Sequence, residues 1–435
     1  MNEYPEFVKN KLLSIIDSMS EHVCDFVRNP GRDFVRCRSL DFKTIVKFIL
    51  SAGSNTLASE LLRFFSFENT PSVSAFVQQR EKLLPEAFQY LFHEFNKVMD
   101  VAPTLFHEYR LLAVDGSDLA LPFNPKESEN MRYKDHCNFL HLHTLYDVCS
   151  KCYVDAVITP GSRYIEADIA ADMVKQLDEK YPVILLADRG YETYNLFAHV
   201  EERLFDYVIR IKDFNSNGIL SGIDFPDEDE FDITRRIVLT RHSTGPAAVN
   251  KKVYKHKSRE KRFDFLPDLT SPDYEMNIRF VRFKVDHKKY VALATSLDSS
   301  SFSVELLKEL YHLRWGIETS YREAKWVLGM VACHSKKSDS IKQEIFAHLI
   351  MYNFSMYITM PIKPQKKKRK SKYPVQINYT QAIKICLQFF RCISKLQTFD
   401  VEATILKYTL PVRNGRTIPR KAVSPSVESF NYRLA

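Results

Sequence analysis

YPVILLADRGYE, residues 181–192, is an unbroken apolar run that ends on Asp188, with Gly190 turning the chain. A strand that is apolar at every position, not at alternate ones, is covered on both faces, as in a sheet flanked by helices. The segments on either side fit that reading. YIEADIAADMVKQLDE before it and YNLFAHVEERL after it have helical apolar spacing, and FDYVIRIK then reads as another strand. Further upstream, YRLLAVDGSDLALP is a strand carrying Asp115 at its end, and NFLHLHTLYDVC and CYVDAVITP alternate like a hairpin. The order β-β-β-α-β-α-β predicts an α/β fold of three layers, with an antiparallel hairpin beside parallel strands.

Beyond this core the pattern changes. Residues 1–105 read as short helices: SLDFKTIVKFILSAG, then NTLASELLRFF capped by Asn55 or Thr56, then TPSVSAFVQQREKL capped by Ser72 or Ser74. Short helices ending in a polar, basic one suit a helix-turn-helix-like DNA reader or a plain helical bundle. Residues 106–211 form the first part of the core, and 212–290 are charged with short β-like runs (TRRIVLT, NIRFVRFKV, KKYVALATS), read as a β-rich insertion. Residues 291–335 complete the core, and 336–435 form a helical, basic C-terminal region, with helices at about 340–360 and 378–396.

The chain has 435 residues and a formal charge of +8, with cations gathered in two places. Lys363, Lys366, Lys367, Lys368, Arg369, Lys370 and Lys372 form one run, and Arg413, Arg416, Arg420 and Lys421 follow. Clusters of this kind point to an anionic polymer or to a solvated loop. The eight cysteines lack disulfide-like spacing, and Cys149 and Cys152 flank Ser150-Lys151 as a hairpin turn would, so a reducing compartment is expected. MNEYPEFVKNKLL lacks a signal-peptide pattern, and the apolar stretch Ile345–Ile362 is interrupted by His348 and Asn353, which suits a buried helix and no membrane span.

The chemistry gathers in three places. Asp115 and Asp188 each end an apolar strand, where functional groups of α/β sheets collect. The third is YHLRWGIETSYREAK, which sets Tyr311, Arg314, Glu318 and Lys325 at relative positions 0, 3, 7 and 14. On a straight helix, at about 100° per residue, these fall within roughly 60° of arc. Leu306, Leu310, Leu313, Ile317, Ala324 and Leu328 form the adjacent apolar stripe. The same face also reads as a solvated one with Arg314–Glu318 ion pairing. Asp115, Asp188 and Glu318 together would offer hard oxygen ligands suited to two Mg²⁺ ions, or Mn²⁺, and not to zinc. Asp118, Asp135, Asp147 and Asp155 are rival carboxylates, and His141 and His143, which share one strand face, could bind metal but read as strand histidines.

LLAVDGSDLALP, LLADRGYE and the Tyr-x2-Arg-x3-Glu-x6-Lys run resemble, in order, the three catalytic motifs of bacterial insertion-sequence transposases of the DDE class, insertion-sequence-4 type. RCRSLDFKTIVKFILSAGSNTLASELLRFF and RNGRTIPRKAVSPSVESFNYRLA resemble that group's N-terminal region and tail. The resemblance implies a ribonuclease H-like core with a β insertion before the catalytic Glu. It implies Asp115, Asp188 and Glu318 as the metal-binding catalytic triad, and Tyr311, Arg314 and Lys325 as residues gripping end DNA, with Arg189 a further DNA contact. The implied partners are double-stranded terminal inverted repeats and target DNA, and a second copy in a dimeric synaptic complex. The implied reaction cuts the element ends, in related enzymes through a hairpin, and joins the 3′-OH to target DNA in the cytoplasm, at the bacterial nucleoid. Two other functions share these features: a ribonuclease H-like nuclease, and a non-catalytic DNA-binding regulator.

Overall fold

The structure is a computed structural model that describes residues 2–36, 39–100, 102–121, 123–132, 137–161, 165–213, 218–226, 228–286, 289–364, 373–391 and 399–413. Asp135, most of the lysine run (366–372), and Arg416, Arg420 and Lys421 with the tail motif lie outside them.

The chain begins with helices α1 (Glu3–Glu21), α2 (Phe42–Ser51), α3 (Leu57–Phe64), α4 (Val73–Arg80) and α5 (Glu86–Met99). It continues through β1 (Arg110–Leu121), β2 (Met131–Arg132), β3 (Cys137–Asp147), β4 (Cys152–Pro160), α6 (Glu166–Gln176), β5 (Val183–Ala187), α7 (Tyr194–Glu202) and β6 (Asp206–Ile211). Next come β7 (Phe231–Thr240), α8 (Pro246–Val249), β8 (Tyr254–His256), β9 (Tyr274–Asp286) and β10 (Lys289–Thr295). The last part holds α9 (Val304–Leu313), α10 (Trp315–Glu323), a π-helical turn (Ala324–Leu328), α11 (Ser338–Thr359), β11 (Val375–Gln376), α12 (Tyr379–Arg391), α13 (Val401–Lys407) and β12 (Leu410–Pro411). The fold is mixed α/β, and the chain divides into two compact units.

One unit comprises residues 103–117 and 141–319 and holds the sheet. Its strand order is β3-β1-β5-β6-β10-β9-β7-β8, with β4 beside β3. β5 pairs in parallel with β1 on one side and β6 on the other, and all five of its residues are buried, as its unbroken apolar run requires. α6 packs against α7, and Phe197 of α7 stacks on Tyr207 of β6 at 4.6 Å. β10 joins β6 antiparallel, and β9 and β7 follow antiparallel in turn. The strands between residues 212 and 290 therefore continue the core sheet. Their short, charged runs show that they are strands but carry no sign of which edge they join.

The other unit gathers residues 1–102, 118–140 and 320–435. α11 is its axis, packed by α5, α12, α2 and α1. Twenty of its residues, Ser338 and Ser340 through Thr359 with one gap, are buried, so its apolar side chains run all round it. Of the polar residues that interrupt it, Asn353 Nδ2 donates to Asn96 Oδ1 at 2.8 Å, and His348 Nδ1 bonds the Glu344 carbonyl at 2.6 Å. Among the described residues no helix is long and apolar enough to cross a membrane. α3 is capped by Thr56 and α4 by Ser72, because each hydroxyl reaches the N–H three residues on.

Candidate active site

Register places the two aspartates. β1 and β5 pair from Arg110↔Val183 to Ala113↔Leu186. Asp115 and Asp188 each lie two residues beyond that last pair, at equivalent positions past the pairing of two adjacent strands, which run about 4.8 Å apart. β1 itself runs on to Leu121, so Asp115 sits where the pairing with β5 ends and not, as its sequence suggests, at the strand's own end. Each aspartate accepts from a nearby glycine: Gly116 N–H donates to Asp115 Oδ1 at 2.9 Å within β1, and Gly190 N–H to Asp188 Oδ1 at 2.7 Å in the 3₁₀ turn. Arg189 is exposed, in the 3₁₀ turn that Asp188 caps.

Glu318 stands in the first turn of α10, and Arg314 Nη2 donates to its Oε1 at 2.9 Å. Arg314 is buried, with its guanidinium 5.5 Å from the Tyr311 ring and 5.0 Å from that of Trp315. The Trp315 ring is thus one of two that flank Arg314. Tyr311 Oη and Arg314 Nε are buried and have no hydrogen-bond partner among the described residues, an unusual outlay of unspent donors.

Asp188 and Glu318 both bear on Asp115. Burial pushes the Asp115 carboxyl up to about 7; the Gly116 N–H and Arg314 pull it down, while Asp188 and Glu318 push it further up. Among the described residues no three His, Cys, Asp or Glu side chains are closed into a metal-ligand set. The donor chemistry still suits a hard divalent cation, because an all-oxygen group of crowded anions gains most from a cation among them.

Lys325 falls in the π-helical turn, and its Nζ donates to the Asp118 carbonyl at 3.0 Å. The helix assumed to run straight from Tyr311 to Lys325 is instead α9, then α10, then the π turn, so a uniform 100° per residue does not carry through to Lys325. Among the rivals, Asp147 is spent: it is fully buried, paired with Arg110 at 2.9 Å, and accepts the Cys149 and Ser150 N–H groups. Those bonds close the turn that holds Cys149 and Cys152, both free thiols.

Two further residues lie against Gly116 and Gly190: Glu166, which the sequence pattern does not single out, and His141, which it reads as a strand histidine. A methyl carbon at Gly116 would lie 2.2 Å from His141 Nε2 and 2.7 Å from Glu166 Oε1, and one at Gly190 would lie 3.4 Å from Glu166 Oε2. The Glu166 carboxylate thus lies near both glycines, and His141 Nε2 stands 3.1 Å from its Oε1. The His141 ring packs at 4.4 Å on His143, which bonds Thr159 Oγ1 at 3.0 Å. Glu166 begins α6, where an acidic residue is ordinary, so nothing in its position marked it.

No curated protein matches the chain. Among solved structures it is similar to a piggyBac transposase synaptic complex with hairpin DNA, at 12% identity and a TM-score of 0.44, covering 98% of this chain and 88% of that one. The family model described as "Transposase DDE domain" matches residues 106–354, more than half of the sequence. The chain belongs to the transposase DDE domain family.

Proposed function

We propose that this protein is a DNA transposase of the insertion-sequence-4 type, acting on the terminal inverted repeats of a bacterial mobile element. The observation that carries the reading is that Asp115 and Asp188 each lie two residues past the last pair of two adjacent parallel strands, together with the influence of Asp188 and Glu318 on Asp115. Parallel β1, β5 and β6 with helices on the sheet support a ribonuclease H-like core. The sequence divisions at 105, 211, 290 and 335 are part of the same proposal.

Asp115, Asp188 and Glu318 would hold Mg²⁺ or Mn²⁺, in two sites. Bound there, the metal supplies Lewis-acid activation of the attacking oxygen and neutralises charge on the leaving one. The protein's own groups do the rest. Arg314 orients Glu318 and keeps a positive charge beside the carboxylates. The unspent Tyr311 Oη and Arg314 Nε suit phosphate oxygens of the bound end, and Arg189 and Lys325 would contact flanking phosphates. Cleavage frees a 3′-OH, which attacks target DNA. A homodimer would pair the two ends, and the work would be done in the cytoplasm at the nucleoid.

The test is a plasmid carrying both DNA segments that flank this gene, incubated with the protein and Mg²⁺. Cuts at both ends are expected, lost in Glu318→Gln while DNA retention persists. Wild-type cutting by Glu318→Gln would remove the triad assignment, and cutting indifferent to the ends would make the protein a general nuclease.

A further inference from the structure

Within the unit that holds the sheet lies a cavity of about 930 Å³ between the start of α7 and the loops around α8 and β8. Its lining carries six lysine or arginine residues against three carboxylates. One of those carboxylates is spent: Glu192 accepts the N–H groups of Lys212 and Ile219. Three donors in the wall are not. Tyr194 and Asn195 are 6% and 3% exposed, and Tyr194 Oη and Asn195 Nδ2 have no hydrogen-bond partner among the described residues. Lys257 Nζ lies 4.3 Å from the centre of the Tyr194 ring. Burial, with Lys261 and Arg241 adding, brings its ammonium down to about 8. A buried amide N–H, a phenol and a crowded ammonium in one cationic cavity match an anion with several oxygens. Neither the carboxylate triad nor its flanking helix uses any of them.

We propose that this cavity is a phosphate-binding site that seats a phosphodiester of DNA beyond the cleavage site, held by Lys257, Asn195 and Tyr194. The identity of the ligand as DNA rests on the function proposed above; the preference for phosphate rests on the wall alone. The cavity begins within six residues of Asp188 along the chain, which suits a strand passing on from the catalytic carboxylates.

The experiment is acylation of lysines by a soluble amine-reactive ester, read residue by residue by mass spectrometry on the full chain. The catalytically silent Glu318→Gln variant would be used, with random-sequence duplex DNA, with inorganic phosphate, or with neither. Both ligands should slow Lys257 acylation several-fold. Asn195→Asp keeps the oxygen that accepts from the Asp264 N–H but turns the donor into an anion, so it should abolish the protection while the circular dichroism spectrum stays that of the folded parent. DNA that shifts in a gel yet leaves Lys257 as reactive as before would overturn this proposal and leave the transposase reading intact. No gel shift with phosphate protection retained would do the reverse: the anion site would stand, and its assignment to DNA would fall. Protection by neither ligand, or protection that survives Asn195→Asp, removes the site.

Discussion

At the scale of the residue, the site is a matter of proton affinity. Asp115 holds its proton up to about pH 7 because burial, and then its carboxylate neighbours, disfavour its charge. A carboxyl raised in this way binds its proton more tightly folded than unfolded. Its contribution to stability is complete below about pH 4 and is lost as the pH rises through about 7. Asp115→Asn should therefore gain melting temperature over the wild type at pH 8, and not at pH 5. The gain should be at most a few kcal/mol, because Asp115 is only partly buried and solvent screens part of the effect. Glu201, also raised to about 7 by burial, is common to both proteins and drops out of the difference. Added Mg²⁺ should stabilise the wild type at pH 8 and leave the variant unmoved. A melting difference independent of pH would show that Asp115 does not titrate as a crowded carboxyl. The aspartates were legible because each ends an apolar run beside a glycine. His141 and Glu166 were not, since a strand histidine and an acidic helix start are both ordinary without knowledge of what lies opposite.

At the scale of the element, regular periodicity was readable and its interruptions were not. The runs that became β5, α6 and α7 announce themselves by burial pattern. The π turn after α10 does not, because one extra residue in a turn leaves the local composition unchanged. Its end is marked only by Gly329, which closes the turn at φ +92°. Glycine takes that conformation freely, whereas a side chain is strained there by roughly 1–2 kcal/mol. A methyl at this position would also meet Ser54 Cβ at 3.1 Å. Gly329→Ala should lower stability by about that amount or somewhat more, read as a shift of the urea midpoint at constant slope. An unmoved midpoint would mean that the turn relaxes to another backbone path. The strands between 212 and 290 teach the same lesson at a larger step: their alternation marks them as strands, but edge choice is settled by long-range packing that no local pattern encodes.

At the scale of the whole molecule, the two ends of the chain meet in one unit, which neither end declares. The N-terminal helices look like a self-contained module, yet α11, from far down the chain, is the axis they pack on. A buried ionic knot ties them. Arg80 of α4 donates to Glu344 at 2.7 Å, to Gln343 at 2.9 Å and to the Ser340 carbonyl, all on α11. Glu344 also accepts from the His334 N–H and faces its ring at 3.2 Å. Burial alone would raise the Glu344 carboxyl, but Arg80 and His334 outweigh it and hold it well below the usual carboxylate range. A depressed carboxyl contributes stability that is present above its unfolded value, about pH 4, and is lost as the pH falls below that. Arg80→Met removes the cation and leaves the buried carboxylate with only the His334 N–H and ring, a loss of up to about 3–5 kcal/mol. Glu344→Gln with Arg80→Met should recover much of that loss, since no charge then remains stranded. If α1–α5 and α11 fold as one unit, limited proteolysis of Arg80→Met should open residues 1–100 and 338–391 together. Cleavage confined to α4, with α11 still protected, would show that the N-terminal helices fold on their own.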